Sequence, residues 1–209
     1  MDASDDAIRR REELITGHPP RVPPLTSEEA YELATERANR LRFAAVGRTD
    51  PVAREDLPEM LLTLMFHPDL YDRIAALSME MQAKGALAHR DRELVILRTG
   101  WLCQAPYEWG EHVRLAKRVG VTGDEIERVT VGSAAEGWTA HERALLTAAE
   151  ELHADAMLSD ATWDALGDTL DDRQRFELTV LVGLFTAVAY FQNSLRFRLS
   201  PGNDGLQAR

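Results

Sequence analysis

Apolar residues along this chain recur at three- and four-residue intervals, and no segment of useful length alternates with a period of two. The first pattern belongs to amphipathic helices and the second to half-buried strands, so the expectation is an all-α fold of nine or ten helices. Ala30, Leu33, Ala34, Ala38 and Leu41 keep helical spacing behind a capping-box start at Thr26-Ser27-Glu28-Glu29, which predicts a helix to about Phe43. A loop is expected over 47–50. Helices over 57–66 and 68–84 are parted at His67-Pro68, because proline restricts the residue before it. Thr122 with Glu125 and Thr139 with Glu142 form capping boxes that open helices to about Thr130 and to His153 or Met157. Ser159-Asp160 and Asp171-Asp172 open two more, through Leu166 or Gly167 and to about Arg196. The last is apolar on nearly all sides (LTVLVGLFTAVAYF), as expected of a helix at the centre of a bundle. Residues 1–24, charged and then proline-rich, predict an extended or draped arm; 25–198 form the helical domain, and 199–209 a polar tail.

The pattern is densest from Arg90 to Val113, RDRELVILRTGWLCQAPYEWGEHV. An apolar helix ends near Cys103, the chain breaks at Gln104-Ala105-Pro106, and a second helix runs to Val119 before Gly120 stops it. Pro106 suits the first position of that helix, where a missing N–H costs nothing. Glu108 and His112 are then one turn apart and share a face. A carboxylate beside an imidazole can pass a proton. Glu93, the acid in the head of the first helix, lies about 18 Å before the corner and His112 about 10 Å after it. A strictly antiparallel hairpin would leave them offset by about 8 Å, which a crossing angle or a water must close. Each residue also has a structural alternative. Glu108 would stabilise the exposed N–H groups of a helix start, His112 could be an ordinary half-buried histidine, and Glu93 could pair with Arg92 or Arg98. Tyr107 and Trp109 suit packing or a pocket wall.

Composition narrows the function. A chain of 209 residues, 44% hydrophobic and 28% charged, is ordinary for a soluble globular protein. The first 20 residues lack the apolar core of a signal peptide, and the run Leu178 to Phe191 is too short to span a bilayer, so a cytoplasmic protein without a membrane partner is expected. A formal charge of −11 argues against nucleic acid or an anionic membrane as partner. Arg114 to Arg118 (RLAKR) begins a superficial helix-turn-helix, but Asp124, Glu125 and Glu127 would repel phosphates. The single cysteine, Cys103, excludes an intramolecular disulfide and is expected to be a small buried hydrophobe. His89, His141 and His153 show no ligand spacing beyond Glu150-x-x-His153, so neither a metal nor another cofactor is expected.

A faint internal repeat sets Asp91-Arg-Glu-Leu-Val-Ile-Leu beside Arg175-Phe-Glu-Leu-Thr-Val-Leu, with Glu93 and Glu177 at the heads of equivalent helices. With RDRELVILR, WLCQAPYEWGEHVRLAKRVGVTGDEIERV and HERALLTAAEELHADAMLSDATWDAL, the chain resembles the carboxymuconolactone decarboxylase family over roughly residues 25–198. That family shares its all-helical fold with alkylhydroperoxidase D-like proteins. The resemblance implies a homo-oligomer, commonly a trimer or hexamer. It also matches Glu93 and His112 to the acid and histidine of the peroxidase branch. That branch carries two cysteines where this chain has Ala105 and Glu108, so peroxidase or peroxiredoxin activity is not expected. The decarboxylase branch resembles this chain in its Glu-x-x-x-His pair. It implies a cofactor-independent lyase or isomerase acting on a small carboxylated or lactone-like molecule. His112 would be the acid/base, Glu108 its partner or a second base, Glu93 the orienting acid, and Arg98, Tyr107 and Trp109 substrate-binding residues. The alternative is a non-catalytic oligomer that binds a small molecule.

Overall fold

The structure, a computed structural model, describes residues 3–44 and 50–209. Among them are ten α-helices and no strand: α1 (Ala3–Thr16), α2 (Glu28–Ala44), α3 (Glu59–Leu64), α4 (Pro68–Lys84), α5 (His89–Leu102), α6 (Pro106–Arg118), α7 (Gly123–Val131), α8 (Ala140–Asp155), α9 (Asp160–Gly167) and α10 (Asp172–Leu195). The loop expected over 47–50 lies outside the described residues except for Asp50. Helix starts follow the capping chemistry. Thr122, Thr139 and Asp171 each accept from the backbone N–H three residues on, while Glu125, Glu142 and Gln174 bond back to them. These boxes satisfy N–H groups that a helix end leaves unpaired. Arg90 ties two of them together, donating to Glu125 at 2.6 Å and to Glu142 at 2.8 Å.

α5 is the axis of the fold, buried at every position from Arg92 to Gly100 and packed on α6, α7, α8 and α10. Leu94 and Leu97 join an apolar group with Trp109, Val113, Ile126 and Leu146, while Val95 and Ile96 join another with Leu145, Leu166, Leu178 and Leu181. Each such aliphatic contributes about 2 kcal/mol on leaving water. α2 and α3 form a smaller satellite around Ala34, Leu61, Leu62 and Met65.

Three expectations change. Over Ala3–Thr16 the N-terminal arm is a helix rather than extended, and it drapes on the bundle: Ile8 and Ile15, two turns apart on one face, are buried, and Ile8 enters the main core. The tail is also docked. Leu206 and Ala208 are buried against α6, whose Trp109 donates to the Ala208 carbonyl at 3.0 Å. Asn203 reaches the Tyr107 carbonyl at 3.0 Å and lies so close to Gly110 that a Cβ there would stand 1.8 Å from Asn203 Oδ1. The third change concerns α10, which flanks α5 and is not itself the centre. Phe176 is 69% and Tyr190 64% exposed, and Gly183 and Ala187 are exposed between them. α10 runs 24 residues and, on length and composition alone, is apolar enough to cross a membrane, with 33% of its most apolar stretch buried. Its inward face packs on α5, α6, α8 and α9.

Candidate active site

Glu93, Glu108 and His112 meet inside the bundle. His112 Nδ1 lies 2.7 Å from Glu93 Oε2 and Nε2 lies 3.3 Å from Glu108 Oε1, so the imidazole is bracketed by carboxylates. All three are buried, at 4%, 3% and 8% exposure in chain order. The 8 Å offset of an antiparallel hairpin is closed by direct contact. The corner that allows this is clasped from outside α5 and α6. Gln104 takes φ +46, its carbonyl accepts from Arg11 Nε at 3.3 Å, and Asn193 Nδ2 on α10 donates to the Cys103 carbonyl at 3.2 Å. Pro106 then opens α6 at its first turn.

The electrostatics follow from this burial. Loss of water by itself pushes the His112 imidazolium down, but the carboxylates around it, Glu93 first and then Glu108 and Glu111, outweigh it and hold the group above its ordinary value. Glu108 is pushed up, chiefly by burial, with His112 and a hydrogen bond from Gln192 opposing. Arg92 stands on the far side of Glu93, its Nε 3.8 Å from Oε1, while its Nη1 closes the end of α4 by donating to the Met81 carbonyl at 3.0 Å. Phe185 of α10 sets its edge against the imidazole, with centroids 5.1 Å apart. The two carboxylates occupy opposite nitrogens of one ring, so the trio cannot converge on a single ion. Among the described residues no group of three or more His, Cys, Asp or Glu could hold a metal.

The three expected substrate-binding residues lie elsewhere. Arg98 is turned to the other side of α5, donating to Glu150 at 2.9 Å and to the Val129 and Thr130 carbonyls. A buried guanidinium needs such partners, and they hold it toward α7 and α8, away from Glu93 and His112. Trp109 is fully buried, its ring tilted 55° against that of Trp101 with centroids 4.9 Å apart. Tyr107 pairs its hydroxyl with Ser200 at 2.9 Å against Phe197, and burial pushes it up to about 12. Cys103 is half-buried, its Sγ 3.9 Å from His153 Nδ1, and burial pushes the thiol up. Sequence reasoning missed Phe185 and Gln192 on α10, about 75 residues beyond the motif. Gln192 did carry a signal, as the amide that ends the run LTVLVGLFTAVAYF. Of the two best-formed hollows, one of about 340 Å³ lies between α2 and α4 beside Arg37, Tyr71 and Asp72, and one of about 220 Å³ lies between α4 and α10 beside Leu77 and Phe176. Neither is lined by the trio.

The all-helical bundle that holds this cluster has an alkylhydroperoxidase D-like fold, as comparison with solved structures shows. The chain is similar to an AhpD-core, peroxidase-related protein from Ralstonia eutropha JMP134 (TM-score 0.70, 19% identity, 87% of this chain and 93% of that one). It is also similar to a peroxidase-related protein from Silicibacter sp. TM1040 (TM-score 0.70, 14% identity, 89% and 96%). A third likeness is to the debrominase Bmp8 in complex with 2,3,4-tribromopyrrole (TM-score 0.66, 16% identity, 88% and 93%). At these identities the likeness shows the fold. Residues 68–151, from α4 into α8, match the model of the carboxymuconolactone decarboxylase family. No curated protein matches it.

Proposed function

We propose that this protein is an acid–base enzyme of the lyase or isomerase type, needing no cofactor and acting on a small organic molecule at the Glu93–His112–Glu108 cluster. The observation that carries this reading is the bracketing of one buried imidazole by two buried carboxylates of unlike surroundings. Glu93 accepts from Nδ1–H, which fixes the ring's orientation and favours the imidazolium. Glu108, raised by burial, can hold a proton and return it. A base at this place removes a proton beside a substrate carbonyl, and the same group or the imidazolium delivers one to the carbanion or enolate that results. The likeness to a debrominase holding a small halogenated heterocycle supports a small-molecule site in this fold. Thiol peroxidase chemistry is disfavoured, because Ala105 and Glu108 stand in place of the paired cysteines and burial holds the Cys103 thiol up.

The burial of all three residues, with the hollows lying elsewhere, favours a second reading in which the cluster is a non-catalytic tie between α5 and α6. Screening lactones and β-keto acids for turnover and carbon dioxide release separates the two. His112→Ala that abolishes turnover at unchanged melting temperature supports the enzyme; loss of melting temperature with no turnover in any form supports the tie.

Self-association belongs to the same reading. Phe176, Gly183, Ala187 and Tyr190 lie on one exposed stripe of α10, with the aromatics at its two ends and the small residues between them. A second copy laid antiparallel would set Phe176 on Tyr190 and bring Arg173 to the carbonyl end of the partner helix. Sedimentation should show Phe176→Glu as a smaller species than the parent; equal mass would remove this interface.

A further inference from the structure

Two buried acceptors beside His112 receive no hydrogen bond within the chain. Gln192, 4% exposed, lies beside the Glu108 carboxylate, and its own Oε1 accepts no hydrogen bond. Glu108 Oε1 likewise accepts no hydrogen bond, although Nε2 of His112 stands 3.3 Å from it as an ion-pair partner. Buried polar oxygens are nearly always satisfied, so two neighbouring exceptions mark a place that some donor fills. The donors nearby are engaged. Nδ1 of His112 is held by Glu93, Arg98 by Glu150 and two carbonyls, and Nη1 of Arg92 by the end of α4. Arg92 Nε is unpaired but faces Glu93 from the far side.

We propose that Gln192 is a substrate-recognition residue, and that Gln192 Oε1 and Glu108 Oε1 together accept a hydrogen bond from a neutral hydroxyl of the substrate. The site thereby selects an alcohol, enol or phenol over a carboxylate anion, which would meet two lone-pair surfaces beside an imidazolium already held between Glu93 and Glu108. This rests on the reading of Glu93, Glu108 and His112 as an active site, and it narrows the substrate away from the carboxylated class. The same hydroxyl would lie against Glu108, the group able to take its proton.

Phenol and benzoate, alike in ring and unlike in charge near neutral pH, are the probes. Each is titrated into the full chain carrying ¹⁵N-histidine, with the His112 ring signals assigned by their loss in His112→Asn. Phenol is expected to shift those signals saturably and benzoate to bind about tenfold more weakly or worse. Gln192→Met should weaken phenol by about tenfold and leave benzoate no weaker. Gln192→Glu returns an acceptor of equal length, so it should keep phenol within about threefold and weaken benzoate further; it decides the matter if Gln192→Met fails to fold. Benzoate binding as tightly as phenol, or phenol indifferent to Gln192→Met, overturns the proposal while leaving the site reading in place. A His112 signal that answers neither probe removes both.

Discussion

Glu93 and Glu177 stand at the heads of two helices with nearly the same local sequence, and they end in different chemistry. Their aliphatic neighbours behave alike: Leu94 and Leu178 are both fully buried, and so are Leu97 and Leu181. The acids diverge. Glu93 turns to the imidazole of His112 at 2.7 Å, whereas Glu177 accepts the backbone N–H groups of Ala86 at 2.6 Å and Leu87 at 3.2 Å, clasping the turn that leads into α5. The residue before each acid diverges too, since Arg92 is buried against the end of α4 while Phe176 faces solvent. After α5 the chain turns into α6, which carries His112 back to Glu93. One acid is therefore held in a titrating cluster and the other in a structural clasp.

Four experiments sharpen or break that contrast, beginning with the largest effect. Leu94→Ala and Leu178→Ala should each cost about 3 kcal/mol in urea unfolding, through lost burial and a residual cavity. Unequal costs would mean that the two helix heads are not equivalent even in packing. Glu93→Ala should cost about 3 kcal/mol, because it leaves a buried imidazolium without its counter-charge. It should also lower the His112 titration midpoint followed by NMR. Glu177→Ala should cost about 1–2 kcal/mol, the value of a charge-assisted hydrogen bond to backbone, with the His112 midpoint unmoved. A moved midpoint would show that the clasp and the cluster are coupled.

The smallest effect is one of pH. His112 and Glu108 are both raised, from 6.5 and 4.5. For each, the unfolded chain gives up its proton before the folded one does, so the stability they contribute is fully present below the unfolded value and is lost as pH rises through the folded one. Urea unfolding measured from mildly acid to mildly alkaline solution should show that decline. Glu108→Gln should remove the glutamate's share, at a cost under about 1 kcal/mol at the acid end, where the carboxyl is protonated in both states. A decline unchanged in Glu108→Gln would place its origin elsewhere.

Local sequence determined the helices, their starts and the face shared by Glu108 and His112, because periodicity, capping and the proline at a first turn act within a few residues. It also fixed what the chain lacks for thiol peroxidase chemistry, since Ala105 and Glu108 are facts of the string. Tertiary structure decided what covers each apolar face and which partner each buried polar group finds. It turned Arg98 to Glu150 and Trp109 to the Ala208 carbonyl, folded the arm into α1 and the tail against α6, moved α10 to the flank of α5, and brought Gln192 to Glu108. An apolar stripe says that a face will be covered and is indifferent to which aliphatic surface covers it. A buried charge needs a specific atom within about 3 Å, and that atom can come from anywhere the fold brings it.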